Sequence, residues 1–184
     1  LHSEQRRKSG EPYIYHPISV AKVVAGELGL DTTSIVCALL HDTVEDTHLN
    51  LKEVGKLFGK KEMEIVDGLT KMSGVLEPGT SAQAENFRKM LLTLSSDVRV
   101  ILIKLADRLD NMRTLAHMRP DKQQKIASET IYMYAPLAHR LGLYAIKSEL
   151  EDLSLKYKEV EEYELINSRL RKTKAVRTRF IRSF

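Results

Sequence analysis

The sequence predicts an all-α fold, and three observations carry that prediction. Apolar residues recur at three- and four-residue intervals along most of the 184 positions, the spacing of helices with one buried face. Residues that start and stop helices punctuate those runs: Asp31-Thr32-Thr33 and Asn50 precede apolar segments, and Gly29, Gly59 and Gly142 follow them. No apolar–polar alternation of useful length marks a strand, and the chain contains no internal repeat or low-complexity tract.

Composition narrows the class further. With 42% hydrophobic and 29% charged residues, the chain has the make-up of a globular rather than a disordered protein. No apolar run nears the roughly 20 residues that span a bilayer, so no membrane association is expected. Cys37 is the single cysteine, which excludes an intrachain disulfide and suits a reducing, cytoplasmic setting. The start, Leu1-His2-Ser3, has neither an initiator Met nor a signal-peptide pattern, as expected of a fragment. Charge is unevenly placed. Seven Lys and Arg lie between Arg169 and Phe184 with no acid; taking them from the total of +4 leaves −3 for the rest. The basic balance therefore belongs to the tail, and nucleic-acid or ribosome binding by the fold is not supported. The expected division is a domain over residues 1–158 and a basic helical connector over 159–184.

The elements follow in order. Arg6-Arg7-Lys8-Ser9-Gly10-Glu11-Pro12 is a basic loop able to offer cations and backbone N–H groups to an anion. Pro17 suits the first turn of a helix that closes near Gly29, with His16 at its start. Asp31 caps a helix carrying Ala38 to Asp46, and Asn50 caps a short one from Leu51 to Phe58. A further helix begins near Lys61. Ser73 to Thr80 reads as an exposed loop, and Ser81 to Leu94 as helix. From Asp97 to Thr114 the first half is β-branched, yet the spacing Val100, Ile103, Leu105-Ala106, Leu109, Met112 favours a buried helix. Asp107, Asn111 and Thr114 then share one face. Pro120-Asp121 opens a long helix that Pro136 should kink or end. Helices near 145–158 and 161–182 complete the chain.

The chemistry concentrates in Ala38-Leu39-Leu40-His41-Asp42-Thr43-Val44-Glu45-Asp46. If this run is helical, His41 shares a face with Glu45 and Asp42 with Asp46. An imidazole and three carboxylates at the end of a Leu-rich segment call for a neutralising positive charge, and a divalent metal supplies it. Together with His16 and Asp107 the run offers two imidazoles and two carboxylates from three helices. That mixed N/O donor set suits Mn²⁺, Fe²⁺ or Zn²⁺ rather than Ca²⁺. Cys37, one turn before His41, is better read as a small core residue than as a ligand.

The order His16…His41-Asp42…Asp107 is the signature of the HD superfamily of metal-dependent phosphohydrolases, an all-helical multi-helix bundle. Three longer strings resemble, more specifically, the N-terminal hydrolase domain of the bifunctional RelA/SpoT homologues, which make and degrade ppGpp and pppGpp. They are Arg7-Lys8-Ser9-Gly10-Glu11-Pro12-Tyr13-Ile14-Tyr15-His16-Pro17, His41-Asp42-Thr43-Val44-Glu45-Asp46 and Leu105-Ala106-Asp107-Arg108-Leu109-Asp110-Asn111-Met112-Arg113-Thr114. The resemblance implies that His16, His41, Asp42 and Asp107 hold one Mn²⁺ and that Glu45 and Asp46 orient or deprotonate the attacking water. Glu45 is favoured for the water contact because it lies nearer His41's face. It also implies that Arg7, Lys8 and Ser9 hold the guanine nucleotide and that Asn111 and Thr114 face the ribose and the 3′-pyrophosphate. Asn86 and Arg88 match a motif of supporting residues. The basic end resembles a link into a synthetase domain, with regulatory domains beyond it.

The implied activity is Mn²⁺-dependent hydrolysis of the 3′-pyrophosphate of (p)ppGpp to GDP or GTP and pyrophosphate. Some members of the family with only synthetase activity have lost the His-Asp and Glu-Asp pairs, and both pairs stand here. Two alternatives compete: a nucleotidase of the same superfamily acting on other nucleoside phosphates, and a regulatory or ribosome-contacting module working through the basic tail.

Overall fold

The computed structural model describes residues 4–75 and 97–182, and their chain is helical with no strand among them. It divides into two compact units, Leu1–Met118 and Arg119–Phe184. No helix among the described residues is long and apolar enough to cross a membrane.

In the first unit, α1 (Tyr15–Lys22) continues through a widened π turn, Val23–Glu27, and ends where Gly29 takes the left-handed conformation at φ +63°. Helix α2 (Thr32–Leu40) starts at Asp31, whose carboxylate accepts the Ser34 N–H at 2.9 Å. A single turn, α3 (Thr43–Asp46), follows, then α4 (Leu51–Leu57), which opens with a capping box between Asn50 and Glu53. Helix α5 (Lys60–Val75) includes Ser73, Gly74 and Val75, so the first three residues of the expected loop are helical. The remainder of that loop, the helix expected over 81–94, and Asn86 and Arg88 lie outside the described residues.

The β-branched run is helix, as its spacing requires: α6 spans Val98–Arg113 and is followed by a 3₁₀ turn, Leu115–His117. It is the most buried element of this unit. Ile101, Ile103, Leu105, Ala106, Leu109 and Met112 are all fully enclosed, an apolar surround that makes each buried charge on the same helix costly. Helix α5 crosses α6 closely at Gly68, where a Cβ would meet Val100 Cγ2 at 2.9 Å. Helix α1 packs against α2 and α6, which brings the start of α1 beside the end of α2 and the C-terminal half of α6.

Continuous helix through Ala38–Asp46 is not what forms. Helix α2 stops at Leu40 because side chains replace the next turn's backbone donors. The His41 ring, through Nδ1, takes the Ala38 carbonyl at 2.7 Å, and Thr43 Oγ1 donates to the Leu40 carbonyl at 2.7 Å. Asp42, at φ −104° and ψ −4°, then reorients the chain before α3.

In the second unit, α7 (Pro120–Glu129) passes through a π turn at Thr130–Tyr134 into α8 (Ala135–Arg140). Pro136 thus does not end the helix; it stands in the first turn of α8, directly after the widened turn. The widened turn before it absorbs the missing N–H and the ring's clash with the preceding turn. Helix α9 (Tyr144–Lys158) packs against α7, α8 and α10 (Val160–Arg182), and α10 leaves Leu165, Ile166 and Leu170 exposed.

One ion network ties three helices of the first unit. Asp97 caps α6 by accepting the Arg99 N–H at 3.0 Å; its other oxygen meets Arg99 Nη2 at 2.8 Å and Lys61 Nζ of α5 at 3.0 Å. Arg99 Nη1 also reaches Asp31, the cap of α2, at 3.0 Å. Hydrogen bonds from Arg99 hold the Asp97 carboxyl far below the ordinary carboxylate range. A carboxyl depressed in the folded state stabilises above its unfolded pKa, about 4, and that contribution is lost as pH falls below it. Asp97→Ala is therefore expected to cost about 1–2 kcal/mol at neutral pH, with the difference from wild type shrinking below about pH 4. Urea denaturation of both proteins across that pH range checks it.

Candidate metal centre

Two histidines meet edge to face, with ring centroids 5.1 Å apart, beneath the junction of α1, α2 and α6. His16, in the first turn of α1, and His41, just past α2, are both buried. Each ring has one nitrogen committed to the protein. His16 Nδ1 lies 2.7 Å from Asp110 Oδ2, and His41 Nδ1 donates to the Ala38 carbonyl. Both Nε2 atoms are thereby turned to the same small space.

Two carboxylates enter that space. Asp42 Oδ2 is 2.8 Å from His41 Nε2 and 3.7 Å from His16 Nε2, and Asp107 Oδ1 is 3.3 Å from His16 Nε2 and 3.8 Å from His41 Nε2. His41 Nε2 is nonetheless a buried polar atom without a hydrogen-bond partner, because its short approach to Asp42 lacks hydrogen-bond geometry. Leaving such an atom unsatisfied costs about 1–3 kcal/mol. An imidazole lone pair and carboxylate oxygens aimed at one point fit a shared cation. The donor atoms of His16, His41 and Asp42 all lie within 4.8 Å of one another, a group able to hold a metal ion.

The electrostatics carry the same message. Asp42, Asp107 and Asp110 place three carboxylates here, against the fixed cations of Arg7 and Lys104. Burial opposes charge on both imidazoles. Asp107 and Asp110 outweigh it at His16, raising it to about 9, and Asp42 and Asp107 hold His41 above its ordinary range. Burial would raise the carboxyl of Asp107, yet His16, Lys104 and His41 hold it far below the usual range. The centre as built attracts positive charge, which protons or a divalent ion can provide.

The second cluster forms beside the first. Arg7 extends from the N-terminal loop to α6, where Nη1 meets Asp110 Oδ2 at 2.9 Å and Nη2 meets Asn111 Oδ1 at 3.2 Å and Thr114 Oγ1 at 2.9 Å. Asn111 Nδ2 in turn donates to Asp107 Oδ1 at 2.7 Å. The loop is a closed turn: Arg6 bridges to Pro12, the Arg7 N–H donates to the Glu11 carbonyl, and Gly10 sits at φ +89°. Lys8 is exposed on that turn, and Ser9 hydrogen-bonds to Glu11 rather than joining Arg7 on α6.

Glu45 and Asp46 are exposed on α3, which the break at His41–Asp42 removes from the helical register of α2. The Asp46 N–H donates to the Asp42 carbonyl at 2.9 Å, the one-turn spacing expected of that pair, whereas Glu45 is exposed and His41 is buried. Cys37 is a core residue, fully buried, and burial pushes its thiol up to about 12.

Three residues of the centre escaped the sequence reading. Asp110 is buried and holds both His16 and Arg7; its spacing three residues after Asp107 was the available signal. Tyr13, three residues before His16, donates its hydroxyl to Asp42 Oδ2 at 2.5 Å, and burial together with Asp42 raises that phenol's pKa far above its usual value. Lys104 is buried with its ammonium 3.7 Å from Asp107 Oδ2, one turn along the same helix. An isolated Lys in an apolar run gave no sign of that.

Apolar helices bring His16, His41 and Asp42 within 4.8 Å of one another, with Asp107 beside both imidazoles, in an all-helical domain able to hold a metal ion. The chain belongs to the HD domain family, whose profile matches residues 1–144. It is similar to a GTP pyrophosphokinase of Myxococcus xanthus, at 50% identity over 98% of this chain and 24% of that protein. It is 48% identical, over its whole length, to 26% of a guanosine-3′,5′-bis(diphosphate) 3′-pyrophosphohydrolase of Aquifex aeolicus. The bifunctional (p)ppGpp synthase/hydrolase SpoT of Escherichia coli is 49% identical over 90% of this chain and 24% of its own. The chain thus spans about a quarter of the length of these relatives. A solved structure described as a metazoan ortholog of SpoT that hydrolyzes ppGpp and plays a role in starvation responses superposes with a TM-score of 0.54. It is 27% identical and is matched over 89% of this chain and 88% of its own.

His41→Ala and Asp42→Ala each remove a donor atom while leaving the helices their apolar faces. Both are expected to abolish measurable Mn²⁺ uptake in isothermal titration calorimetry and to retain the helical circular dichroism of the wild type.

Proposed function

We propose that this domain hydrolyses (p)ppGpp at its 3′-pyrophosphate, yielding GDP or GTP and pyrophosphate, with Mn²⁺ held by His16, His41, Asp42 and Asp107. The observation that carries the reading is the pairing of two clusters: a buried N/O donor set and, joined to it through Asp107 and Asn111, an arginine-bearing turn. Phosphate-ester hydrolysis needs both, one for the reacting phosphorus and one to hold the anion. The match over nearly the full length of a small protein described as hydrolysing ppGpp supports the choice of substrate.

When bound, the metal supplies Lewis acidity, lowering the pKa of a water and drawing charge from phosphoryl oxygens. The chain supplies the rest. Asp110 and the Ala38 carbonyl orient the two imidazoles so that each presents Nε2. Arg7, Lys8 and Ser9 form the turn that receives the guanine nucleotide, with Asn111 and Thr114 toward the ribose and 3′-phosphates. Glu45 takes a proton from the attacking water as its oxygen joins phosphorus, Asp46 orients the water, and the bond from phosphorus to the ribose 3′-oxygen breaks, that oxygen taking up the proton from Glu45 or from solvent. Exposure of α3 suits that task, because a group that exchanges protons with solvent each turnover must reach it.

A second reading is favoured by one name. The Myxococcus xanthus relative is called a pyrophosphokinase, and a chain of this kind within a synthetase could act by regulating it. In both readings residues 159–184 form a basic connector toward a synthetase domain and further regulatory domains of a longer, cytoplasmic protein. His16, His41 and Asp42 stand within 4.8 Å of one another and Asp107 lies beside both imidazoles, which favours hydrolysis over a purely regulatory role.

The test is direct. Metal-stripped protein is assayed with ppGpp, GTP and dGTP, with and without added Mn²⁺. Release of GDP and pyrophosphate from ppGpp only when Mn²⁺ is present is expected, and turnover of GTP or dGTP alone would overturn the substrate assignment. Glu45→Gln should lower kcat by about 10²-fold or more, the usual contribution of a general base, with little change in KM. A shortened protein lacking residues 169–184 should retain hydrolysis; its loss from a folded protein would favour the regulatory reading.

A further inference from the structure

Asp110 makes a contact that neither cluster explains alone. Its Oδ2 atom lies 2.7 Å from His16 Nδ1 and 2.9 Å from Arg7 Nη1, so one oxygen anchors a metal-facing imidazole and the guanidinium of the N-terminal turn together. The carboxylate is buried, with a side chain only 5% exposed, and the Ser19 hydroxyl also bonds to it. It cannot turn to a second set of partners without losing the first.

We propose that Asp110 is a positioning residue that couples the two halves of the site: filling the metal centre fixes His16, His16 fixes the shared oxygen, and that oxygen orders the Arg7 turn for its anionic ligand. The inference rests on the functional reading above only for the metal and for the nature of that ligand. Its physical content lies in the geometry. A His16 ring that donates through Nδ1 has Nε2 as its only lone pair, so the Asp110 bond selects the tautomer able to bind a cation. A cation on Nε2 strengthens the Nδ1–H as a donor and draws the Asp110 oxygen to one position. Arg7 Nη1 shares that oxygen, and the turn around Arg7 is closed by its own backbone bonds, so fixing the guanidinium fixes the turn from Gln5 to Tyr13. Tyr13, which donates to Asp42, is a separate route between the same turn and the centre.

Two measurements on the full chain, neither of them turnover, test the coupling. Calorimetry with Mn²⁺ alone gives the affinity, and amide hydrogen exchange of residues 5–13 at saturating Mn²⁺ gives the order of the turn. In wild type, Mn²⁺ should slow that exchange at least fivefold, the lower end of ordinary site-to-site coupling. Asp110→Ala should bind Mn²⁺ about 10- to 100-fold more weakly and, once saturated, show no Mn²⁺-dependent slowing in the turn. Asp110→Asn keeps an oxygen for both partners and should recover most of the affinity and part of the slowing, which separates positioning from a fold defect. Tyr13→Phe should keep the slowing. Wild-type affinity in Asp110→Ala would overturn the proposal, as would undiminished slowing in that variant or slowing lost in Tyr13→Phe alone. A wild type that takes up no Mn²⁺ would overturn the metal reading and this inference together. Uptake of Mn²⁺ with slowing of the turn but no ppGpp turnover would overturn the substrate assignment and leave the coupling standing.

Discussion

Burying opposed charges at the meeting of α1, α2 and α6 is the constraint on which this molecule turns. Asp107, Asp110 and Lys104 sit on a helix whose neighbouring positions are fully enclosed Leu, Ile, Ala and Met. A lone carboxylate in such surroundings would cost several kcal/mol or take up a proton. None here is alone. Each is bound to an imidazole, a guanidinium or an ammonium, and each imidazole is steered by a second acceptor. The cluster therefore holds only if three helices and the N-terminal turn keep their relative placement, and the rest of the first unit supplies that placement.

The supply is visible in the caps. Asp31 and Asp97 begin α2 and α6, and Arg99 bonds to both, so the start of the helix that leads into His41 and the start of the helix that carries Asp107 are pinned to each other. Lys61 adds α5 to the same knot, and the close crossing at Gly68 keeps α5 tight against α6. These contacts lie at the opposite end of α6 from Asp107 and Asn111. A helix is stiff over three or four turns, so fixing its first turn limits the reach of its last.

Much of this was readable from residue order. Caps at Asp31 and Asn50, the buried helix beginning after Asp97, and the positive-φ glycines at 29, 59 and 142 are local signals that tertiary structure left in place. The meeting of His16, His41, Asp42 and Asp107 was also legible, because polar residues at the ends of apolar runs stand out. What was not legible depends on contacts across the chain. Asp110 lies in plain sight beside Asp107, but only the packing of α1 onto α6 shows that it belongs to His16 and Arg7. Lys104 looks like an ordinary polar interruption until its neighbours close over it. The π turns at Val23–Glu27 and Thr130–Tyr134 add a residue to a turn, which periodicity over a short window does not resolve.

The break at His41–Asp42 shows most clearly how local chemistry overrides pattern. Extending α2 through Asp46 would satisfy the Ala38 and Leu40 carbonyls with backbone N–H groups and leave the His41 ring free to rotate. Instead His41 Nδ1 and Thr43 Oγ1 take those carbonyls. The helix loses a turn, while the ring gains a fixed orientation and tautomer, with Nε2 facing inward. Asp42, which precedes α3, meets the same point, with Oδ2 2.8 Å from His41 Nε2. The cost of ending the helix early is limited, since every carbonyl named keeps a donor. Glu45 and Asp46 stand exposed on the turn that follows, so their carboxylates are not buried beside the two that face the centre.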